Sequence, residues 1–120
     1  MRGVRIVGAM EILDFTEPGG RPVPAHGSVG FTAQALIRDD AVAVTVLRVE
    51  KGGEIGRHPA VGDQLLVVVA GRGAVRAGDG PWRDIRAGQA AVWRSGEEHT
   101  TRAAEDIIAL AIEMPVLPLM

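Results

Sequence analysis

The hydrophobic pattern along this chain has a period of two and comes in short pieces. Residues 41–50, Ala-Val-Ala-Val-Thr-Val-Leu-Arg-Val-Glu, show it most clearly. Val42, Val44 and Val46 fall on one face of an extended strand, and Ala41, Ala43, Thr45, Leu47 and Val49 fall on the other. A strand apolar on both faces is covered twice, in a sandwich, a barrel or a subunit interface. Residues 31–38 predict a strand ahead of it, with Asp39-Asp40 as the hairpin turn between them. Further strands are predicted over residues 64–70, 73–77, 82–86, 90–94, 99–103 and 106–113. Turn chemistry separates them: Lys51-Gly52-Gly53, Gly71-Arg72-Gly73, Gly78-Asp79-Gly80-Pro81, Ala87-Gly88 and Ser95-Gly96. Short strands about ten residues apart, with glycine turns and no helical period, indicate an all-β sandwich or barrel.

The ends read differently. Residues 4–13 mix apolar positions with Arg5 and Glu11 and are compatible with a strand. Pro18-Gly19-Gly20-Arg21-Pro22-Val23-Pro24 then predicts an irregular loop, because prolines remove donors and glycines and prolines fix turns. His26-Gly27 closes that loop. His26 is expected to be a surface-loop histidine; the sharper reading is a ligand reaching the cavity from the N-terminal arm. The apolar tail, residues 114–120, carries Pro115 and Pro118 and is expected to pack as an irregular arm on the barrel or on a partner. The chain therefore reads as one domain: a strand and Pro/Gly-rich arm over 1–30, a barrel over 31–113, and a tail over 114–120.

Composition narrows the function classes. A chain of 120 residues holds one core. The net charge of −2 argues against a nucleic-acid partner, which needs a basic face. Aromatic residues are few (Phe15, Phe31, Trp82, Trp93), which weakens any base-stacking role. The absence of cysteine excludes disulfides, thiolate metal sites and a cysteine nucleophile. The apolar run near Met1 is too short for a secretion signal, and no window has the length of a membrane span, so a cytoplasmic location is expected.

The candidate chemistry is in two stretches about forty residues apart. Gln64, Leu66 and Val68 share one strand face, and His58 and Ala60 share their parity. His99 opens a strand after the turn Ser95-Gly96-Glu97-Glu98. Two imidazoles from different strands of a closed barrel can converge on one cavity, here expected to be lined by Leu66, Val68, Val92 and Ile108. Trp93, opposite in parity to Val92, reads as core filling ahead of pocket wall. Arg57, Arg94 and Arg102 flank the histidine stretches; isolated surface arginines are the commoner case, and an anion at the cavity mouth is the sharper one. Ser28 and Ser95 lack a base and an orienting group, and no helix or placed lysine follows Gly71-Arg72-Gly73-Ala74 to make a phosphate loop.

The spacing resembles the two motifs of the cupin superfamily. The first motif runs glycine, His-x-His, carboxylate, glycine. Here Gly52 precedes His58 by five intervening residues, and Gly71 follows Gln64 by six. The second motif reads Gly88, Arg94-Ser95-Gly96, His99 and Ala103 in this chain. The likeness covers residues 45 to 113 and implies a small double-stranded β-helix, a jelly-roll barrel of the single-domain cupin 2-like type. It also implies homodimers, by sheet packing or strand exchange.

In cupins that bind metal, the two histidines and the carboxylate of the first motif join the histidine of the second. This chain keeps His58 and His99, but has Ala60 at the second histidine position and Gln64 at the carboxylate position. Zinc, iron or manganese usually takes three or four protein ligands with a carboxylate among them. Glu97 and Glu98 are expected to face solvent, and Asp63 has the wrong parity. The expectation is a cupin-like protein that binds a small molecule through His58, Gln64, His99 and Trp93 without a tightly held metal. The alternative is a metal-dependent dioxygenase or isomerase with a degenerate site, in which His58, His99 and Gln64 hold zinc, iron, manganese or nickel. A structural dimer with a vestigial cavity is the third reading.

Overall fold

In a computed structural model residues 10–15 and 20–120 are described, and antiparallel strands dominate them. The strands are β1 (Arg21–Pro22), β2 (Val29–Arg38), β3 (Ala43–Pro59), β4 (Asp63–Ala70), β5 (Arg72–Ala77), β6 (Arg83–Arg86), β7 (Ala90–Trp93), β8 (Glu98–Ala103) and β9 (Ile107–Met114). Hydrogen bonding joins them in the order β6-β5-β8-β3-β9-β4-β7, with β2 on β3 and β1 on β2. This is an all-β, nearly closed antiparallel barrel. Its two end strands, β6 and β7, do not pair with each other and leave a seam.

One strand holds the two halves together. β3 is 17 residues long and runs straight through Lys51-Gly52-Gly53, where the glycines predicted a turn. Its first half pairs with β9, from Ala43↔Glu113 to Val49↔Ile107; its second half pairs with β8, from Glu54↔Arg102 to Pro59↔Glu98. Gly52 has φ +80° at the corner between them, a backbone state open to glycine at no steric cost. The glycine pair therefore bends the strand from one wall to the other without reversing the chain.

Alternation places the core. From β3, Leu47 and Val49 face inward; they meet Leu66 and Val68 of β4 and Ile107, Ala109 and Ala111 of β9, all buried. The opposite parity forms a second apolar surface. Across β3, β9, β4 and β7 the register aligns Val44, Ile112, Leu65 and Val92 in one row and Val46, Leu110, Val67 and Ala90 in the next. Val92, expected in the cavity, is 37% exposed on this outer face, and Ile108 shares it. The parity of β9 is set by Ile107 and Ala109 pointing inward, which turns Ile108 out.

The ends also depart in part from the pattern. Of the strand expected over 4–13, residues 4–9 lie outside the described residues, and residues 10–13 form no strand. The arm is held by two carbonyls: Asp14 accepts from the Gln34 amide (2.7 Å), and Phe15 accepts from the Arg48 guanidinium (2.9 Å). In the proline-rich loop, Pro18 and Gly19 lie outside the described residues. Arg21 and Pro22 do pair, with Ala33 and Thr32, at a sheet edge where proline's missing N–H costs no ladder bond. The C-terminal tail is irregular, with Leu117 buried and its N–H donated to Asp63 (3.0 Å).

Candidate functional site

His58 and His99 stand directly opposite each other on β3 and β8, and their ring centroids are 4.3 Å apart at 56°. Strict alternation from Ile55, which faces inward, would point His58 outward. A register shift between Ile55 and His58 inserts the extra residue that turns His58 back to the interior, the usual effect of a β-bulge. His99 follows the turn at Gly96 and is 3% exposed.

Two further rings extend this pair into a column. Trp93 stacks on His99 at 4.2 Å and 22°, and on the other side His26 stacks on His58 at 5.2 Å and 21°. His26 is a surface-loop histidine as expected, and it also reaches the cavity. Its ring is exposed, but it lies over the cavity mouth. The short turn Ala25–Gly27 carries it there, with His26 at φ +59°, rare for a side-chain-bearing residue. The turn lies so close to β3 that a Cβ on Gly56 would collide with the His26 carbonyl. The Gly56 N–H donates to Ser28 Oγ (2.9 Å) and pins the turn.

The column forms one wall of a cavity of about 240 Å³. Gln64, 7% exposed, faces it from β4; by register it lies opposite both Trp93 on β7 and Glu113 on β9. Leu66, Leu47, Ile55, Phe31 and Ala111 supply the apolar surface, and Thr45, Thr101 and Ser28 supply hydroxyls. Trp93 serves both roles that the sequence offered it. It is 4% exposed within the core and also lines the cavity. Its other side faces a broader groove of about 630 Å³ in the seam between β6 and β7, so this indole divides the two spaces.

The protonation chemistry follows from the backbone. The Nδ1–H of His58 donates to the Gly56 carbonyl (2.7 Å), and that of His99 to the Glu97 carbonyl (3.1 Å). A carbonyl can only accept, so in each neutral ring the lone pair is on Nε2. Burial pushes His99 down to about 4, its bond to Glu97 opposes this, and the neighbouring His58 lowers it further. Glu113 is raised by burial, an effect that the facing His58 and Arg38 oppose. Sequence reasoning missed Glu113 as a site residue. The available signal was its parity, shared with Ala109 and Ala111 on the inward face of the last strand.

Among the described residues, no group of three or more His, Asp or Glu side chains is placed to hold a metal ion. Ala60 is buried where the family motif has its second histidine, and His26 and His58 stack face to face where ligands to one ion would point nitrogens at it. The candidate substitute carboxylates are engaged elsewhere. Glu98 pairs with Arg57 (2.6 Å), Glu97 Oε1 accepts the Arg94 N–H (3.2 Å), and Asp63 takes hydrogen bonds from Arg94, Ser95 and Leu117. The flanking arginines are likewise paired: Arg57 with Asp79 and Glu98, Arg94 with Asp63, and Arg102 with Glu54.

Known proteins share this architecture. A family model described as a cupin domain matches residues 45–114. The polyketide cyclase RemF from Streptomyces resistomycificus superposes with a TM-score of 0.76 at 19% identity, covering 92% of this chain and 83% of that one. A predicted oxalate decarboxylase from Thermotoga maritima gives 0.73 at 18%, covering 87% and 99%. A conserved protein of unknown function from Streptococcus pyogenes gives 0.64 at 26%, covering 70% and 73%. No curated protein matches the chain.

Proposed function

Given that this chain belongs to the cupin domain family, we propose that it binds a small molecule inside the barrel without a resident metal. The observation that carries this reading is the cavity of about 240 Å³ where three imidazoles, Gln64 and Glu113 converge on a largely apolar wall. A mostly apolar cavity with a few convergent polar groups is the usual form of a small-ligand site. Pinning both Nδ1 protons on backbone carbonyls presents Nε2 of each neutral ring as an acceptor. The ring stacking fixes the orientation of those acceptors, so a ligand meets a largely pre-organised surface.

The outer apolar row from Val44 through Ile112 and Leu65 to Val92, partly exposed in the single chain, supports a homodimer through this sheet face. Val69, on the same face, is 52% exposed in the single chain.

Elemental analysis of protein incubated with Fe(II), Mn, Ni and Zn tests the metal-free reading. It expects no retained ion. One equivalent of ion, lost in both His58→Ala and His99→Ala, would establish the metal-dependent alternative instead. Thermal-shift screening of small molecules tests binding, since a ligand at about one hundred times its Kd adds about 2.7 kcal/mol. Sedimentation of the same sample reports the dimer.

A further inference from the structure

We infer that the barrel cavity selects flat cationic or hydrogen-bond-donating ligands, an amidine or aryl amine on a single ring, and rejects carboxylates and phosphates. This rests on the proposal that the cavity binds a small molecule, and it adds the chemical class.

The first argument is a census of charge. No lysine or arginine lines the cavity, and Glu113 is its one carboxylate. The arginines nearest in sequence to the two histidines cannot supply positive charge, because each is held in an ion pair on the surface. Glu113 also borders a neighbouring depression lined by Asp39 and Asp40, which adds carboxylates on its far side. Arg38, two strands away through Ala43, is close enough to act on Glu113 but is exposed and does not line the cavity.

The second argument concerns the direction of hydrogen bonds. With Nδ1–H of His58 and His99 committed to backbone carbonyls, Nε2 of each neutral ring can only accept. The Glu113 carboxylate also accepts. An anion entering would find like charge and acceptors that repel it, a costly mismatch in a partly buried space. A cation or N–H donor placed beside Glu113 offsets the penalty that burial imposes on its charge. The third argument is shape. The wall is a column of ring faces, and the volume lies below the roughly 300–1,000 Å³ typical of drug-sized sites, which suits a single ring with one substituent.

Benzamidine, benzamide and benzoate have nearly the same shape and differ chiefly in charge and donor pattern. Their binding at neutral pH is measured by calorimetry and ligand-observed NMR on the full chain. Benzamidine is expected to bind at least about tenfold more tightly than benzoate, with benzamide between them. Glu113→Gln, which preserves shape, is expected to remove most of that preference while leaving the fold intact by circular dichroism. If the variant does not fold, the ranking of the three compounds on the unaltered chain decides the matter alone. Benzoate binding as tightly as benzamidine overturns the ligand class and leaves cavity binding standing. Binding by none of the three overturns this inference, and silence across the wider thermal-shift screen overturns the cavity reading with it.

Discussion

Acidification should destabilise this protein through His99 before ordinary carboxylate titration accounts for the loss. The His99 ring is 3% exposed, stacked on Trp93 and beside His58, and its folded-state value is about 4 against an ordinary 6.5. The folded value lies below the unfolded one, so the unfolded chain binds the extra proton throughout the window between them. The stability that depends on a neutral ring is therefore intact above about pH 6.5 and is lost as the pH falls towards 4. With about 1.36 kcal/mol per unit, the shift sets a ceiling of about 3 kcal/mol, of which about 2 kcal/mol is lost between pH 7 and roughly pH 4.5. That is a large fraction of the roughly 5–15 kcal/mol by which domains are stable.

The other groups facing this ring bear on the slope. Glu97 favours the charged ring, through its carbonyl first and its carboxylate less strongly, whereas His58 disfavours it. Glu113 acts with the opposite sign, because its folded value is raised: in its own window above about 4.5 the folded state holds the extra proton, and stability falls as pH rises. Comparing the chain with His99→Gln isolates the ring from these terms. Urea unfolding followed by tryptophan fluorescence, at several values from about pH 7 to about pH 4.5, gives each stability curve. The expected advantage of the unaltered chain over the variant shrinks by about 2 kcal/mol across that range. An advantage constant to within about 0.5 kcal/mol, or an NMR titration of His99 with a midpoint above 6, would refute the reasoning.

Two substitutions probe the walls of the cavity. Trp93→Ala should cost about 3–5 kcal/mol in urea unfolding, because it removes a buried indole and joins the cavity to the seam groove; a loss below about 1 kcal/mol would show that the indole is not packed as described. Gly56→Ala forces the His26 turn off β3 and should cost about 1–3 kcal/mol. It should also shift the His58 ring resonances, and unchanged resonances would mean that His26 does not cover the cavity.

Most of the barrel was legible because strands with one buried face must alternate, and eight of the predicted segments lie within strands of the structure or overlap them. The misreadings came from places where a local signal competed with a long-range one. Lys51-Gly52-Gly53 has the composition of a hairpin turn, but a strand that must serve both walls of a barrel needs the same glycine freedom for its corner. Val92 and Ile108 were placed inside for their bulk. Yet a sheet apolar on both faces carries bulky residues on each, and only the register distinguishes inside from outside.

The site shows the same division on a smaller scale. Gln64 and His99 could be located because glycine spacing fixes where the motif strands start and parity then fixes which side chains turn inward, whereas His58 turns inward through the register shift after Ile55 and Trp93 has the parity opposite to Val92. His26 and Glu113 could not be reached in this way. His26 belongs to a loop whose path over β3 depends on the missing Cβ of Gly56, some thirty residues away, and no periodicity carries that information. Glu113 had the right parity, but its approach to Gln64 arises only when β9 pairs between β3 and β4. The resemblance drew attention to the carboxylate lost at position 64. The fold brings a carboxylate, Glu113, from the adjacent strand to the same cavity, opposite Gln64 by register. The cavity therefore keeps a carboxylate beside Gln64, supplied by a different strand from the one the motif uses.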